Sequence, residues 1–136
     1  MSASLLADLV DYLATQASLV KGTSLFLGSL PEGSGLATAI VPTGGASRPY
    51  SVCLAATFQV LTRGADAGLV TPLARAWAIY DALYPSRLPR RNVMLSTEWK
   101  LVLVDAIQPP ADAGLNEAGR RIVSWNFQVK ALKRSA

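Results

Sequence analysis

The chain has 136 residues, a net charge of +4 and no histidine; 51% of it is hydrophobic and 16% charged. That length suits one ordinary domain, and that composition suits a chain that buries a core rather than a disordered one. The missing histidine removes the most usual general base and the commonest metal ligand, and a single cysteine, Cys53, excludes an internal disulfide or a cysteine-built zinc site.

Residues 3–20 are predicted to form a helix. Leu5, Leu6, Leu9, Val10, Leu13, Ala17 and Val20 recur at steps of three and four and line one stripe, with Asp8, Asp11, Thr15 and Gln16 between them. Ser2 or Ser4 can cap its start, and Gly22 follows its end. A short strand is expected at 24–28, then a turn-rich loop at 29–36 that holds Gly33 and Gly35. Ala37 to Pro42 leans towards strand, and the segment from Thr43 to Pro49, with Gly44 and Gly45, is expected to be a second flexible loop. Neither loop has the Gly-Lys-Ser/Thr ending or the spaced glycines of a phosphate cradle.

Residues 51–63 are a long strand candidate, with Phe58 and Val60 on one face and Thr57, Gln59 and Leu61 on the other. Cys53 sits in this apolar run and is expected to be a buried structural cysteine. A turn at 64–68 leads into a second helix, roughly 67–84. Leu69, Leu73, Trp77, Tyr80 and Leu83/Tyr84 form its expected core stripe. Pro72 leaves its start open: Thr71 caps a helix that begins at Pro72, or an earlier turn bends there. Pro85 marks its end.

Residues 85–92 are a basic loop in which Arg87, Arg90 and Arg91 make the densest positive cluster of the chain. It is a solvated loop, or a contact for DNA or an acidic partner surface. Residues 93–107 are strand-rich and centred on 99–104; Gln108-Pro109-Pro110 closes them, and 111–120 is expected to be a polar loop. In 121–132, Val123, Trp125, Phe127, Val129 and Ala131 alternate strictly with Ser124, Asn126, Gln128 and Lys130. That period of two predicts a half-buried antiparallel strand, whose polar face meets solvent or a neighbouring subunit. The tail after about 132 is expected to be loose.

Clustered strands between two helices predict an α+β fold. Two main helices pack on one face of a mostly antiparallel sheet of four or five strands, in a single domain spanning 1–136. The charge is uneven. Residues 1–62 carry two basic against three acidic side chains, and residues 63–136 carry eleven against six. The basic half favours anionic partners without marking a dedicated nucleic-acid binder. No apolar run approaches the ~20 residues of a membrane helix. Asp8 and Asp11 interrupt the first apolar stretch, so a signal peptide is not expected either.

No catalytic set stands out. The lysines occur in no nucleophile motif, and the carboxylates are scattered, apart from Asp112 and Glu117 in one loop. Neither an enzyme nor a cofactor or metal site is expected, so the chain is expected to work through its surfaces.

Three segments follow one another in order: Val41-Pro42-Thr43-Gly44-Gly45, Phe58-Gln59-Val60-Leu61-Thr62-Arg63-Gly64, and Ala74-Arg75-Ala76-Trp77-Ala78-Ile79-Tyr80-Asp81-Ala82-Leu83. Near the end come Gln108-Pro109-Pro110, Gly114-Leu115-Asn116-Glu117-Ala118-Gly119-Arg120 and Trp125-Asn126-Phe127-Gln128-Val129. Together, over roughly 5–130, they resemble the tail terminator or minor capsid (neck) family of long-tailed bacteriophages. The resemblance implies an α+β fold and a homohexameric ring that caps the head-proximal end of the tail tube and stops its growth. It implies as partners other copies of the chain, the tube protein and a head-completion or connector protein, with DNA passing through the channel unread. It places the chain in the virion, assembled in the host cytoplasm, with no membrane role. Arg87, Arg90 and Arg91 become candidate channel or partner contacts, and Gly33, Gly35, Gly44 and Gly45 mark candidate docking loops. A head-completion protein of the same neck and a small nucleic-acid-binding module remain the alternatives.

Overall fold

The computed structural model describes residues 3–33, 35–47, 53–84, 91–95 and 99–133. Helix α1 spans Ala3–Gln16 and α2 spans Val70–Leu83. The strands are β1 (Leu25–Leu27), β2 (Ala37–Ser47), β3 (Cys53–Arg63), β4 (Arg91–Met94), β5 (Trp99–Ala106), β6 (Ala111–Leu115) and β7 (Arg121–Lys133). They form one sheet in the order β1-β2-β3-β7-β5-β4, with β6 also on β7. The fold is α+β as expected. The sheet is larger than expected, with seven strands, and it is mixed, because β1 runs parallel to β2.

The sheet differs from the expectation in one longer strand and two added ones. The expected flexible loop after Pro42 is strand through Ser47: Gly44 and Gly45 pair with Thr57 and Ala56, past an irregularity between Pro42 and Gly44. Proline lacks an N–H for the ladder, so it is confined to sheet edges and bulges. Pro42 meets both conditions, since β1 covers β2 only at Thr38–Ile40. The expected polar loop at 111–120 is a hairpin: β6 pairs with the first residues of β7, and Asn116 to Arg120 make the turn. The Asn116 side-chain oxygen accepts from the backbone N–H groups of Ala118 and Arg120, and Gly119 takes φ +78°. β6, with the sequence Ala-Asp-Ala-Gly-Leu, lies at an edge and is mostly exposed. The second added strand is β4, at the opposite edge from β1.

β7 is the central strand. β3 pairs with it from Cys53↔Leu132 to Arg63↔Ile122, while β5 and β6 lie end to end along its other edge. Its alternation holds as predicted: Val123, Trp125, Phe127, Val129 and Ala131 are all fully buried. Across from them on β3 stand Thr62, Val60, Phe58 and Ala56, and the Phe58 and Phe127 rings lie 5.5 Å apart. β7 runs on through Lys133, and 134–136 lie outside the described residues.

Both helices cover this apolar face, α1 over β1 and β2 and α2 over β3 and β7. On α1 the predicted stripe is the buried one: Leu5, Leu9, Val10 and Leu13 have no exposed surface. The helix stops four residues short of the predicted end, Ser18 takes φ +55°, and Val20 is 61% exposed instead of buried. On α2 the buried stripe is rotated from the predicted one, and the two share Leu83. Pro72, Ala76, Ile79 and Leu83 are buried, Leu69, Leu73, Tyr80 and Tyr84 sit half-buried at the margins, and Trp77 is 39% exposed. The helix starts at Val70, so Thr71 is not its cap, and Pro72 falls in the first turn, where backbone N–H groups have no helical partner to lose. Gly64 lets that proline in close: a Cβ there would stand 3.1 Å from the Pro72 ring.

Candidate functional site: surfaces for assembly

Among the described residues, no group of three or more His, Cys, Asp or Glu side chains is placed to hold a metal, and no helix is long and apolar enough to cross a membrane. The candidate contacts are surface features, and the fold puts them in three separate places.

Gly33 and Gly35 lie in the loop between β1 and β2. Gly33 takes φ +135°, a conformation only glycine holds without strain. The loop is tied down by Arg63, the last residue of β3, which is 6% exposed. The guanidinium donates to the Gly35 carbonyl from Nε at 3.3 Å and from Nη2 at 3.1 Å, and Nη1 donates to the Pro31 carbonyl. One buried cation therefore clamps both ends of a turn that looked free in sequence. Hydrogen bonds to a charged donor contribute about 1.5–3 kcal/mol each, so the clamp is strong. Arg63 was not singled out from sequence, although the Arg-Gly ending of that strand was.

Gly44 and Gly45 sit near the far end of β2. With roughly 3.3 Å per strand residue, about 30 Å of chain separates them from Gly35. The two glycine pairs do not form one docking surface. Arg91 opens β4 opposite Leu103, on the other edge of the sheet. Arg87 and Arg90 lie outside the described residues, as does the side chain of Cys53.

Beside Gly64 a second clamp joins the β6–β7 hairpin to the start of α2. The Gly64 N–H donates to the Arg121 carbonyl, and the Arg121 N–H donates to Asp66. The Arg121 guanidinium reaches the Ala67 carbonyl at 3.1 Å and pairs with Asp112 at 3.0 Å. At the other end of α2, the Tyr84 hydroxyl accepts from the Ala106 N–H, and burial pushes its pKa above the usual phenol value. Arg75, also on α2, is half-buried and reaches towards the Ser24 carbonyl at 3.5 Å; burial lowers its pKa.

Sequence reasoning missed one surface. Trp77 packs edge-on against Tyr80 with centroids 5.0 Å apart; Tyr80 in turn meets the buried Trp125 at 5.4 Å and stacks on Tyr84 at 4.8 Å. An aromatic ladder thus runs from the core to an exposed indole. Helical spacing puts Trp77 in the core stripe because the spacing of aromatics is the same whether they point in or out.

The fold is α+β, with one arginine clamp at the β1–β2 loop and another at the start of α2. A family model described as bacteriophage tail terminator protein matches residues 12–133, and the chain belongs to that family. It has the structural role in a bacteriophage tail that the family description gives. A solved structure titled "Virion of native gene transfer agent (GTA) particle" contains a chain that shares 19% identity with this one at a TM-score of 0.64, covering 98% of both. At that identity the likeness is one of fold. Comparison with curated protein sequences gives no match.

Proposed function

We propose that the chain forms a homohexameric ring on the head-proximal end of a finished tail tube, blocks further tube polymerisation and offers its other side to a head-completion or connector protein. DNA crosses the channel without sequence-specific contact, and no catalysis is involved. The ring is assembled in the host cytoplasm and leaves in the virion. The observation that carries this is the family match over residues 12–133, which takes in every strand of the sheet. The whole chain acts as one unit in it. A ring needs one patch of each subunit to meet a different patch of the next, and the fold offers a different set of exposed groups at each sheet edge.

Arg87, Arg90 and Arg91 are assigned to the channel or to an acidic surface of the tube. The loop with Gly33 and Gly35, and the β2 segment with Gly44 and Gly45, are assigned to docking on tube or head.

Electron microscopy of particles lacking the chain tests the proposal. Headless tails of abnormal and variable length are expected. Tails of normal length beside unattached heads would instead assign the chain to head completion, and intact infectious particles would remove it from the neck altogether.

A further inference from the structure

Two surface features of this chain complement one another. The first is the outer stripe of α2: Val70, Ala74, Trp77, Ala78 and Asp81 follow at steps of three and four and are all exposed, Val70 at 82%. Four of the five are apolar, and the one charge is negative. At its centre Trp77 is held by the aromatic ladder that ends on Trp125, so little rotamer freedom is left to lose on contact. Tryptophans so placed are the residue type most often found to dominate binding energy.

The second feature is a hollow of about 350 Å³ beside β1, lined by Leu25, Phe26, Leu27 and Pro31 together with Lys21. Its walls are mostly apolar, and its one charge is positive. Leu27 is 43% exposed, and Val20, next to Lys21 in the chain, is 61% exposed. Lys21 is held at this site by Asp11 at 3.1 Å, in an open ion pair that leaves the ammonium accessible to a second carboxylate. Of the seven large hydrophobic residues exposed on the described surface, Val70 and Trp77 belong to the stripe and Leu27 to the hollow.

We infer that the α2 stripe of one subunit seats in the β1 hollow of a second copy, with Trp77 as the inserted group and Asp81 facing Lys21. This contact rests on the ring proposed above and specifies which surfaces make it. A subunit cannot fill its own hollow, because α2 and β1 are both fixed to the same sheet. A knob and a hollow on different elements of one chain make a heterologous contact, which repeats from copy to copy and closes into a ring where the rotation permits. An exposed aromatic on an apolar helix face would otherwise be a liability for association with wrong partners.

The test uses Ala78→Cys and Leu27→Cys together in a Cys53→Ala background, purified and also assembled into tails. Oxidation is expected to give a ladder from dimer upward that ends at the closed ring, while each single-cysteine variant stays monomeric. Dimers from Ala78→Cys alone would mean that stripe meets stripe, which overturns the assignment; so would the absence of a ladder in both preparations. Without any cysteine change, Trp77→Ala in the parent chain is expected to weaken self-association about tenfold or more while the circular dichroism spectrum is kept. Unchanged association of this variant would also overturn the contact. The outcome is separable from the terminator role. Normal tail-length control with no ladder would remove this contact alone. A ladder with tail length indifferent to the chain would remove the terminator role alone.

Discussion

The two helices pack on the same sheet face and have equal lengths, yet their outer surfaces differ. α1 turns Asp11, Thr15 and Gln16 to solvent, whereas α2 turns Val70, Ala74, Trp77 and Ala78. On α1, polar residues separate the apolar ones into a single stripe, so only one face can be buried. On α2, the stripes through 69, 73, 77, 80 and 83/84 and through 72, 76, 79 and 83 are both apolar and overlap at Leu83, and periodicity alone does not choose between them. Packing chooses. Ala76 and Ile79 let the helix axis approach β3 and β7, which already project Phe58, Trp125 and Phe127 towards it. A second layer of Trp77 at that contact would overfill the space. The larger rings are left at the margin, and an apolar helix face is left outside.

Substitutions can break or sharpen this contrast. The largest effects are expected from the buried stripes themselves. Leu9→Ala on α1 and Ile79→Ala on α2 each remove a fully buried side chain, and each should cost about 2–5 kcal/mol in urea unfolding. If α2 buried the other stripe, Trp77→Ala would show a loss of that size instead. Because the indole is 39% exposed and its ring contact is with the half-buried Tyr80, a smaller loss of about 1 kcal/mol is expected there.

An intermediate effect is expected at the end of α2. Tyr84→Phe leaves the Ala106 N–H without its acceptor and should cost about 1–2 kcal/mol. The Tyr84 pKa is raised by burial, so its contribution is fully present below the ordinary phenol value and is lost as pH rises through the higher folded value. Stability measured from neutral to strongly alkaline pH should therefore fall in the parent chain above that range, and this alkaline component should be missing in Tyr84→Phe.

The smallest stability effects, and the clearest functional contrast, are expected on the outer faces. Thr15→Lys on α1 and Ala74→Lys on α2 should each stay within about 0.5 kcal/mol of the parent. Only the α2 change should reduce assembly onto tails, scored by counting tails of normal length. Equal assembly of both variants would mean that the outer face of α2 has no partner.

How much of the molecule was legible can be judged from particular elements. β7 could be read because strict alternation leaves one register for its apolar side chains, and α1 because its polar residues exclude other faces. The strand at 43–47 was hidden by glycines and Pro42, which usually signal a turn but here accompany a bulge at an edge. β6 was hidden because an edge strand exposed on most sides has no apolar alternation to show. The Arg63 clamp was hidden because its acceptors are backbone carbonyls, which carry no residue signature.

By itself, then, the amino-acid sequence determined the α+β class, the central strand, the inner face of α1 and, through ordered short motifs, the family. Each of these rests on contacts between near neighbours in the chain or on a pattern with a single solution. The tertiary structure alone decided the face of α2, the seven-stranded mixed sheet and the clamped loop at Gly33 and Gly35. The first and last depend on a partner far along the chain, β7 beneath α2 and Arg63 across from Pro31 and Gly35, and the sheet depends on strand partners that the pattern of each strand does not name. Where local patterns allow two outcomes, long-range packing selects between them, and on α2 that choice left Trp77 at the surface.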